Sequence, residues 1–402
     1  MTFSTSMELP DITVVLGAAS ESIFDQAYQH FNEQSTPRDE QPSAPAPYSA
    51  PYDRAPYDQA PNDSALERAS QAFAQRETNA QTDAGPGFNL DQVDVGLLVS
   101  EPSLVLALAV LIEMLIPLPK KLKLSGLSSV FAGLARKVNR TGFSNHQRAF
   151  AGVMLPTLIV SVLLFLVLTL DLIAGFDLLV ALVVLVLVLE LRFAQEGSVQ
   201  VERALREGFK DKAKDLLAPL VLRETAMLSE LGIAKACAES AILRIFSGWF
   251  AVMVWFLIAG LEGAVVMQTI TILAREYNYK LRGNALFGKY IFRVQQIMLA
   301  LPALILVPCL LVSKKPLQAL HSGKEGFKVY PAAVSGFVLG AIGGALDLSL
   351  GGPRYYQGNL VRLPKVGGSN NASRESILYA MRKIRMCGLI LLVCAILIDL
   401  NV

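Results

Sequence analysis

Charged side chains are scarce in this 402-residue sequence. They account for 17% of the residues, whereas soluble domains carry about 25%. Hydrophobic residues reach 53% and are concentrated in long runs. This composition excludes a wholly soluble protein and predicts an integral membrane protein in contact with the lipid bilayer. Nothing in the sequence points to nucleic acid as a partner, and none is expected.

Histidine and cysteine are also rare, with three and four copies. The cysteines lie in apolar helical context without a CxxC pair or a metal-ligand spacing, which excludes a disulfide framework and a zinc site. The chain also lacks a P-loop, a GxSxG, an HExxH and a dinucleotide fingerprint. No metal site is predicted from these residues, and no stand-alone signature identifies a reaction.

Residues 1–95 differ from the rest of the chain because they are acidic and rich in Pro, Ala, Gln and Asp. The stretch APYSAPYDRAPYDQAPND repeats Ala-Pro-Tyr three times and offers no apolar period to bury. Such a composition cannot offset the entropy of ordering, so a disordered tail is predicted. It is interpreted as a solvated linker, with an interaction tail for a protein partner as the alternative. The membrane domain is then residues 96–402.

The hydrophobic part predicts an all-α polytopic membrane protein with about five to seven apolar segments. Each run approaches the ~20 residues that a bilayer core needs. The segments fall near 102–118, 150–170, 176–191, 248–274, 297–312, 335–350 and 386–400. The loop between the first two carries seven Lys/Arg and no acidic residue, and the positive-inside rule places it in the cytoplasm.

Polar and glycine residues refine this topology. Residues 192–247 have helical periodicity with mixed charges, which predicts two or three cytoplasmic helices. The next apolar stretch is interrupted at Gly260, Glu262 and Gly263, so it is one long helix or, as favoured by the basic segment after it, a pair of re-entrant half-helices. The small-xxx-small spacing after residue 335 predicts close helix packing.

Acidic residues inside apolar runs are costly and indicate function. Glu190 and Asp347 are expected near segment ends that water reaches, so Glu113 is the stronger candidate. Outside the runs, the sequence RET at 223–225 and Glu239 offer an arginine for an anion and carboxylates for Mg²⁺ or proton transfer. Ordinary helix salt bridges are the alternative.

The stretch LGGPRYYQGNLVRLPKVGG, residues 350–368, is rich in Gly, Pro, Arg and Tyr between apolar segments. Irregular backbone at membrane depth is tolerated where it lines a cavity. We therefore predict that this loop forms the wet edge of a cytoplasmic pocket, where glycines allow a phosphate or an amide to approach closely. A turn that only connects two spans is the alternative.

From about residue 104 onward, the order of these features resembles the CobD/CbiB family of cobalamin-biosynthesis membrane proteins. LGGPRYYQG resembles the family's LGGPxxYxG loop, Arg223–Thr225 resembles its GRDT, and Glu239 and Ser240 match its VES. The resemblance implies a multi-pass protein of the bacterial inner membrane. It also implies a ligase that uses ATP and Mg²⁺ to join a carboxylate of a cobyric acid type corrinoid to aminopropanol phosphate.

The resemblance also implies the roles of individual residues. Glu224 and Glu239 would serve metal binding or proton transfer. Substrate would be bound by Arg223, Thr225, Arg293, Gly352, Pro353, Tyr356 and Gly358.

Several acidic positions of the family are replaced here. Leu243, Arg244 and Ser247 stand where the family has Glu, Asn and Asp, and Ala274 and the pair Gln295–Gln296 replace further Asp residues. Because these side chains are poor ligands for Mg²⁺, a non-catalytic membrane sensor or binding protein of the same fold, similar to the AmpE-like signalling branch, is the alternative.

Overall fold

The computed structural model describes residues 102–400 except 117, 120, 141, 175–177, 282 and 357. The predicted disordered tail, residues 1–95, lies outside the described residues. The first half contains α1 (Pro102–Leu115), α2 (Ser128–Val138), α3 (Asn145–Ala174), α4 (Leu178–Val188), α5 (Leu191–Arg206) and α6 (Lys210–Leu217).

The second half begins with α7 (Glu230–Ile245), which continues through a π-helical turn at Phe246–Phe250 into α8 (Ala251–Glu276). The remaining elements are α9 (Lys289–Leu311), α10 (Pro316–Val329), α11 (Ala333–Ala345), strand β1 (Ser349–Tyr356), strand β2 (Asn359–Gly367) and α12 (Arg374–Asp399).

Long apolar helices and their exposed surfaces agree with the predicted all-α polytopic membrane fold. Among the residues that the structure describes, three helical stretches are long and apolar enough to cross a bilayer: Asn145–Leu170, Glu230–Glu276 and Lys289–Leu311. On α3, Phe165 is 71% exposed and Leu172 is 84% exposed. Apolar surface of this extent is typical of a lipid-facing helix and atypical of a soluble monomer.

The 47-residue helical stretch from α7 to α8 folds back on itself. Ala259 and Gly260 leave the helical conformation, and Gly260 has φ +62° and ψ −154°, a conformation that favours glycine. The Thr271 hydroxyl lies 3.4 Å from the Ser247 carbonyl although the two residues are 24 positions apart. The two arms are therefore antiparallel, which confirms the favoured pair of half-helices over one long helix.

The predicted polar insert at 192–247 corresponds to three helices, of which the last is not a solvated one. Helix α7 is buried along most of its length, including Ile233, Cys237 and Ile242. It packs against α5 and α12 at the centre of the fold. The mixed polar and apolar sequence of α7 is thus that of a core helix with polar side chains such as Glu239 on its buried face.

Helices α10 and α11 pack in close contact through glycines. A Cβ on Gly326 would collide with the carbonyl of Gly336, and one on Gly340 would collide with the carbonyl of Ser322. The predicted small-xxx-small packing is confirmed. This tight pair supports the hairpin of β1 and β2, which packs on both helices.

The stretch from residue 350 forms an antiparallel β-hairpin, a structure that the sequence analysis did not predict. Its register runs from Ser349 opposite Gly367 to Tyr356 opposite Asn359, with an irregularity between Gly351 and Pro353. At the base, Asp347 accepts hydrogen bonds from Lys315 Nζ at 2.9 Å and from the backbone of Ser369 at 3.0 Å. The hairpin is therefore a fixed element attached to α10.

The acidic residues of the apolar runs have different surroundings. Glu113 is 3.4 Å from Lys123 Nζ, which also donates to the carbonyls of Val186 and Leu189 at 2.8 and 2.7 Å. Because these carbonyls lie at the end of α4, Lys123 links Glu113 on α1 to that end of α4. Glu190, by contrast, is only 1% exposed, so the expectation that water reaches it is wrong.

Candidate functional site

A buried ion pair joins α7 to the segment that precedes it. Arg223 Nη2 lies 2.6 Å from Glu239 Oε2, and both residues are more than 90% buried. The sequence places Glu239 on the inward face of α7 and Arg223 in the irregular segment between α6 and α7. Two residues that were predicted as site residues on separate motifs therefore meet.

The β-hairpin completes the surroundings of Glu239. The backbone N–H of Gly351 donates to Glu239 Oε1 at 2.6 Å, and Arg354 Nη2 lies 3.2 Å from Glu239 Oε2. Both carboxylate oxygens thus have partners. Arg354 Nη2 has no well-directed hydrogen bond among the described residues, so it retains donor capacity next to the pair.

Positive charge exceeds negative charge around Glu239. Lys235 Nζ lies 3.6 Å from the position of a Cβ on Gly352, and the Lys365 side chain lies 3.9 Å from the same point. We call Arg223, Lys235, Glu239 and Arg354 the Glu239 cluster. Its three cations outnumber the one carboxylate, so the cluster carries a net positive charge.

The pKa values of the two arginines, Arg223 and Arg354, are shifted in opposite directions. Burial lowers the pKa of Arg223, with the Glu239 charge opposing it. Burial also opposes the charge on Arg354, but the neighbouring Glu239 outweighs this and the pKa of Arg354 is raised. Because arginine titrates above pH 12 in water, both guanidinium groups are charged at neutral pH.

Glu224 positions the hairpin tip and is exposed. Its backbone N–H donates to the carbonyl of Tyr355 at 3.0 Å, and its Oε1 accepts from the backbone N–H of Gly358 at 2.5 Å. Gly358 has φ +80°. Tyr356 lies beside this tip, with Lys280 Nζ 5.4 Å from its ring centroid. Glu224, Tyr356 and Gly358 therefore share one edge of the site.

The remaining predicted residues take peripheral positions. Gly352 has φ +94° and adjoins Lys235. Pro353 is exposed on β1, and Thr225 is half-buried in a turn whose carbonyl accepts from Leu228. Arg293 is exposed on α9, and none of the described contacts joins it to the Glu239 cluster.

Sequence reasoning missed four residues that build the site. Lys235 and Tyr330 lie outside the motifs, Arg354 occupies a variable position of LGGPxxYxG, and Gly351 precedes the glycine that was predicted. A Cβ on Gly351 would collide with the Tyr330 hydroxyl and the Pro364 carbonyl. Burial, followed by the charge of Glu239, raises the pKa of Tyr330 to about 12. The sequence contains one indication of these residues, which is the position of Arg354 close to two glycines and two tyrosines in LGGPRYYQG.

The carboxylates of this site do not fit a directly coordinated Mg²⁺. Mg²⁺ in nucleotide sites is held by free carboxylate oxygens together with phosphates. Here both oxygens of Glu239 accept from cations or a backbone N–H, and Glu224 is bonded to Gly358. In the described part of the chain, no group of three or more His, Cys, Asp or Glu residues could hold a metal.

Comparisons with known proteins agree with the motifs. The sequence model of the CobD/Cbib protein family matches residues 106–384. A protein named Cobalamin biosynthesis protein CobD from Stutzerimonas stutzeri is 28% identical over 212 residues, which cover 53% of this chain and 70% of that protein. Its namesake from Chromobacterium violaceum is 30% identical over 189 residues, covering 47% and 60%. No solved structure matches the chain.

The match extends from α1 into α12 and therefore includes every element that builds the Glu239 cluster. The chain spans 60% of the length of the Chromobacterium relative, and the family model covers residues 106–384. On these grounds the chain belongs to the CobD/Cbib family of cobalamin-biosynthesis proteins.

Proposed function

We propose that this protein acts in cobalamin biosynthesis at the bacterial inner membrane, as a multi-pass protein that binds an anionic substrate in the Glu239 cluster. The observation that carries the proposal is the excess of cations around Glu239. Arg223, Lys235 and Arg354 face a single carboxylate, and a substrate oxyanion would balance the remaining charge.

The reaction that we propose is the one implied by the family resemblance. An adenosylcobinamide-phosphate synthase-like enzyme joins a carboxylate of a cobyric acid type corrinoid to aminopropanol phosphate as an amide. Both substrates carry an oxyanion that the cluster suits. In this proposal Arg354 binds the oxyanion with its free donor capacity, Arg223 supports it, and Glu239 holds both guanidinium groups in place.

The glycines of the hairpin serve the same binding role. Gly351 and Gly352 have φ of +81° and +94°, a backbone conformation that residues other than glycine rarely adopt. This conformation sets the directions of the two successive peptide groups. The N–H of Gly351 is already directed into the cluster. We propose that Gly352, Pro353, Tyr356 and Gly358 shape the substrate edge, while Thr225 supports Arg223 through the turn.

ATP and Mg²⁺ belong to this proposal only through the family resemblance. Since the described carboxylates do not fit Mg²⁺, no step is assigned through a metal–nucleotide complex. This misfit favours a second candidate function, a non-catalytic corrinoid-binding or sensor protein built on the same fold. In that case the cluster binds the corrinoid carboxylate without turnover.

Complementation separates the two functions. A strain that lacks the synthase is supplied with cobyric acid and with this protein. Growth supports the enzyme, and loss of growth in Arg354→Gln, with membrane levels of protein unchanged, supports the site. Growth that survives both Arg223→Ala and Glu239→Ala contradicts the site. Corrinoid binding without growth supports the non-catalytic function.

A further inference from the structure

A cavity that is lined by none of the Glu239 cluster residues borders the segment that links α6 to α7. It has a volume of about 390 Å³. Its walls come from the start of α2, from α5, from residues 219–220, and from the ends of α7 and α8. Leu220 lines this cavity, while Arg223, three residues later, belongs to the Glu239 cluster.

Two arginines with different partners line the cavity. Arg244 Nη2 donates to the carbonyls of Pro219 and Leu220 at 3.3 and 3.2 Å. Because a guanidinium has five N–H donors, these bonds leave Nε and Nη1 without a hydrogen-bond partner among the described residues. Arg275 Nη1 lies 3.8 Å from Oε2 of buried Glu190, a separation too long for a strong ion pair. Both guanidinium groups thus retain capacity for an oxyanion.

Buried polar groups without partners surround the same region. Ser125 lines the cavity, is 3% exposed, and its Oγ has no hydrogen-bond partner among the described residues. Glu190 Oε1, next to Arg275, also lacks one. Buried polar atoms are normally paired, so each orphan calls for a ligand, water or ion. Of the two residues, Ser125 belongs to the cavity lining, whereas Glu190 lies behind Arg275 and outside it.

The cavity also has acidic and apolar walls, which restrict the ligand. Glu196 lies in the lining together with the two arginines, so a purely anionic ligand would be repelled on one side. Phe193, Leu220 and Ile272 add apolar surface. A molecule that carries a phosphate, a cationic group and an apolar portion matches all three kinds of wall.

The position of the cavity indicates where such a molecule comes from. Ile272, Arg275 and Glu276 lie in the last two turns of α8, at the end of the apolar arm that returns from the bend at Gly260. The adjoining α2 is amphipathic in sequence and exposes Val130 by 53%, as a helix at the bilayer surface does. The cavity therefore lies at the depth of lipid headgroups.

We propose that this cavity binds the zwitterionic headgroup of a phospholipid. Arg244 and Arg275 hold the phosphate, and Glu196 lies near the ammonium group. The bound lipid joins α2 and α5 to the ends of α7 and α8. This site is separate from the Glu239 cluster and does not depend on the function proposed for it.

The test uses cysteine labelling at the cavity rim of the full-length protein. Ser128→Cys places a thiol in the lining, in a Cys394→Ser background because the other three native cysteines are buried. Purified protein is delipidated and then reconstituted into nanodiscs of phosphatidylethanolamine, or of a galactolipid that has no phosphate. Soluble glycerophosphoethanolamine and inorganic phosphate are added separately in detergent.

We expect phosphatidylethanolamine, and glycerophosphoethanolamine at higher concentration, to slow labelling by about tenfold at ten times the dissociation constant. Arg244→Gln and Arg275→Gln should each weaken this protection by roughly tenfold, since each removes a charge-assisted hydrogen bond. The control Arg203→Gln, on the exposed face of α5, should leave it unchanged. Thermal unfolding of each variant shows that the fold is intact.

Three results would overturn the proposal. The first is equal labelling in both nanodiscs. The second is protection that persists in folded Arg244→Gln and Arg275→Gln. The third is protection by inorganic phosphate at the same concentration as glycerophosphoethanolamine, which would identify a simple anion site in place of a zwitterionic one.

Discussion

Glu239 and Glu190 are two carboxylates buried to nearly the same extent, at 3% and 1% exposure, yet their surroundings differ. Glu239 has Arg223, Arg354 and the N–H of Gly351 as partners. Glu190 has a distant Arg275, and its Oε1 has no hydrogen-bond partner within the described residues. Burial alone therefore does not distinguish a preorganised site from an incomplete one. The number of hydrogen-bond and ion-pair partners does.

The largest expected effect is the loss of the partnered carboxylate. Glu239→Ala leaves Arg223 and Arg354 buried without a counter-charge, and breaking a buried ion pair costs about 3–5 kcal/mol of unfolding free energy. Glu224→Ala removes an exposed carboxylate with one backbone hydrogen bond and should cost about 1 kcal/mol. Thermal unfolding in detergent measures both. Equal losses of unfolding free energy in the two variants would contradict the distinction between the buried Glu239 pair and the exposed contact of Glu224.

Gly351→Ala should disrupt the hairpin that carries Arg354. A Cβ would collide with the Tyr330 hydroxyl at a residue with φ +81°, for a cost of about 2–4 kcal/mol. Gly358 has φ +80° but open space around it, so Gly358→Ala should cost only about 1–2 kcal/mol. The same unfolding measurement compares the two glycines. A larger effect at Gly358 would contradict the assigned role of Gly351.

Alkaline pH should weaken the partnered cluster through Tyr330. Its pKa is raised from 10.0 to about 12 in the folded state, so its contribution is complete below pH 10 and is lost as the pH rises towards 12. By linkage this amounts to at most about 2–3 kcal/mol. The difference in unfolding free energy between wild type and Tyr330→Phe should therefore shrink from pH 9 to pH 12. A constant difference would show that Tyr330 does not titrate differently on folding.

The smallest effect should have the opposite sign and concerns the incomplete region near Glu190. Gln268 is fully buried, and neither of its amide atoms has a partner in the described structure. Gln268→Leu should therefore raise the unfolding free energy by up to about 1 kcal/mol. Gln296 is bonded to Ser335 at 3.2 Å, and Gln296→Leu should lower it by a similar amount. The same sign in both variants would contradict the comparison.

The sequence predicted the apolar segments, the fold-back at Gly260 and the glycine packing of α10 and α11, because each depends on neighbouring residues along the chain. It also named Arg223 and Glu239 as site residues. It could not predict that Arg354 approaches Glu239, since 115 positions separate them and only the hairpin brings them together. The strands were missed because Gly and Pro in LGGPRYYQG disfavour a regular strand.

The burial of Glu190 was missed for a related reason. Its position near the end of an apolar run indicated contact with water, but the fold-back of α8 against α7 covers it. Such burial depends on tertiary packing between arms that are distant in sequence. Local hydropathy therefore located the membrane segments and failed to locate the polar groups inside them.

Corrinoid binding tests the central claim, that the Glu239 cluster is an oxyanion site, most directly. Purified wild type, Arg354→Gln and Arg293→Gln are titrated with cobyric acid, whose absorbance reports binding. The account predicts that Arg354→Gln weakens binding by roughly tenfold or more, while Arg293→Gln, on the exposed face of α9, binds as wild type does. Unchanged affinity in folded Arg354→Gln would contradict the account.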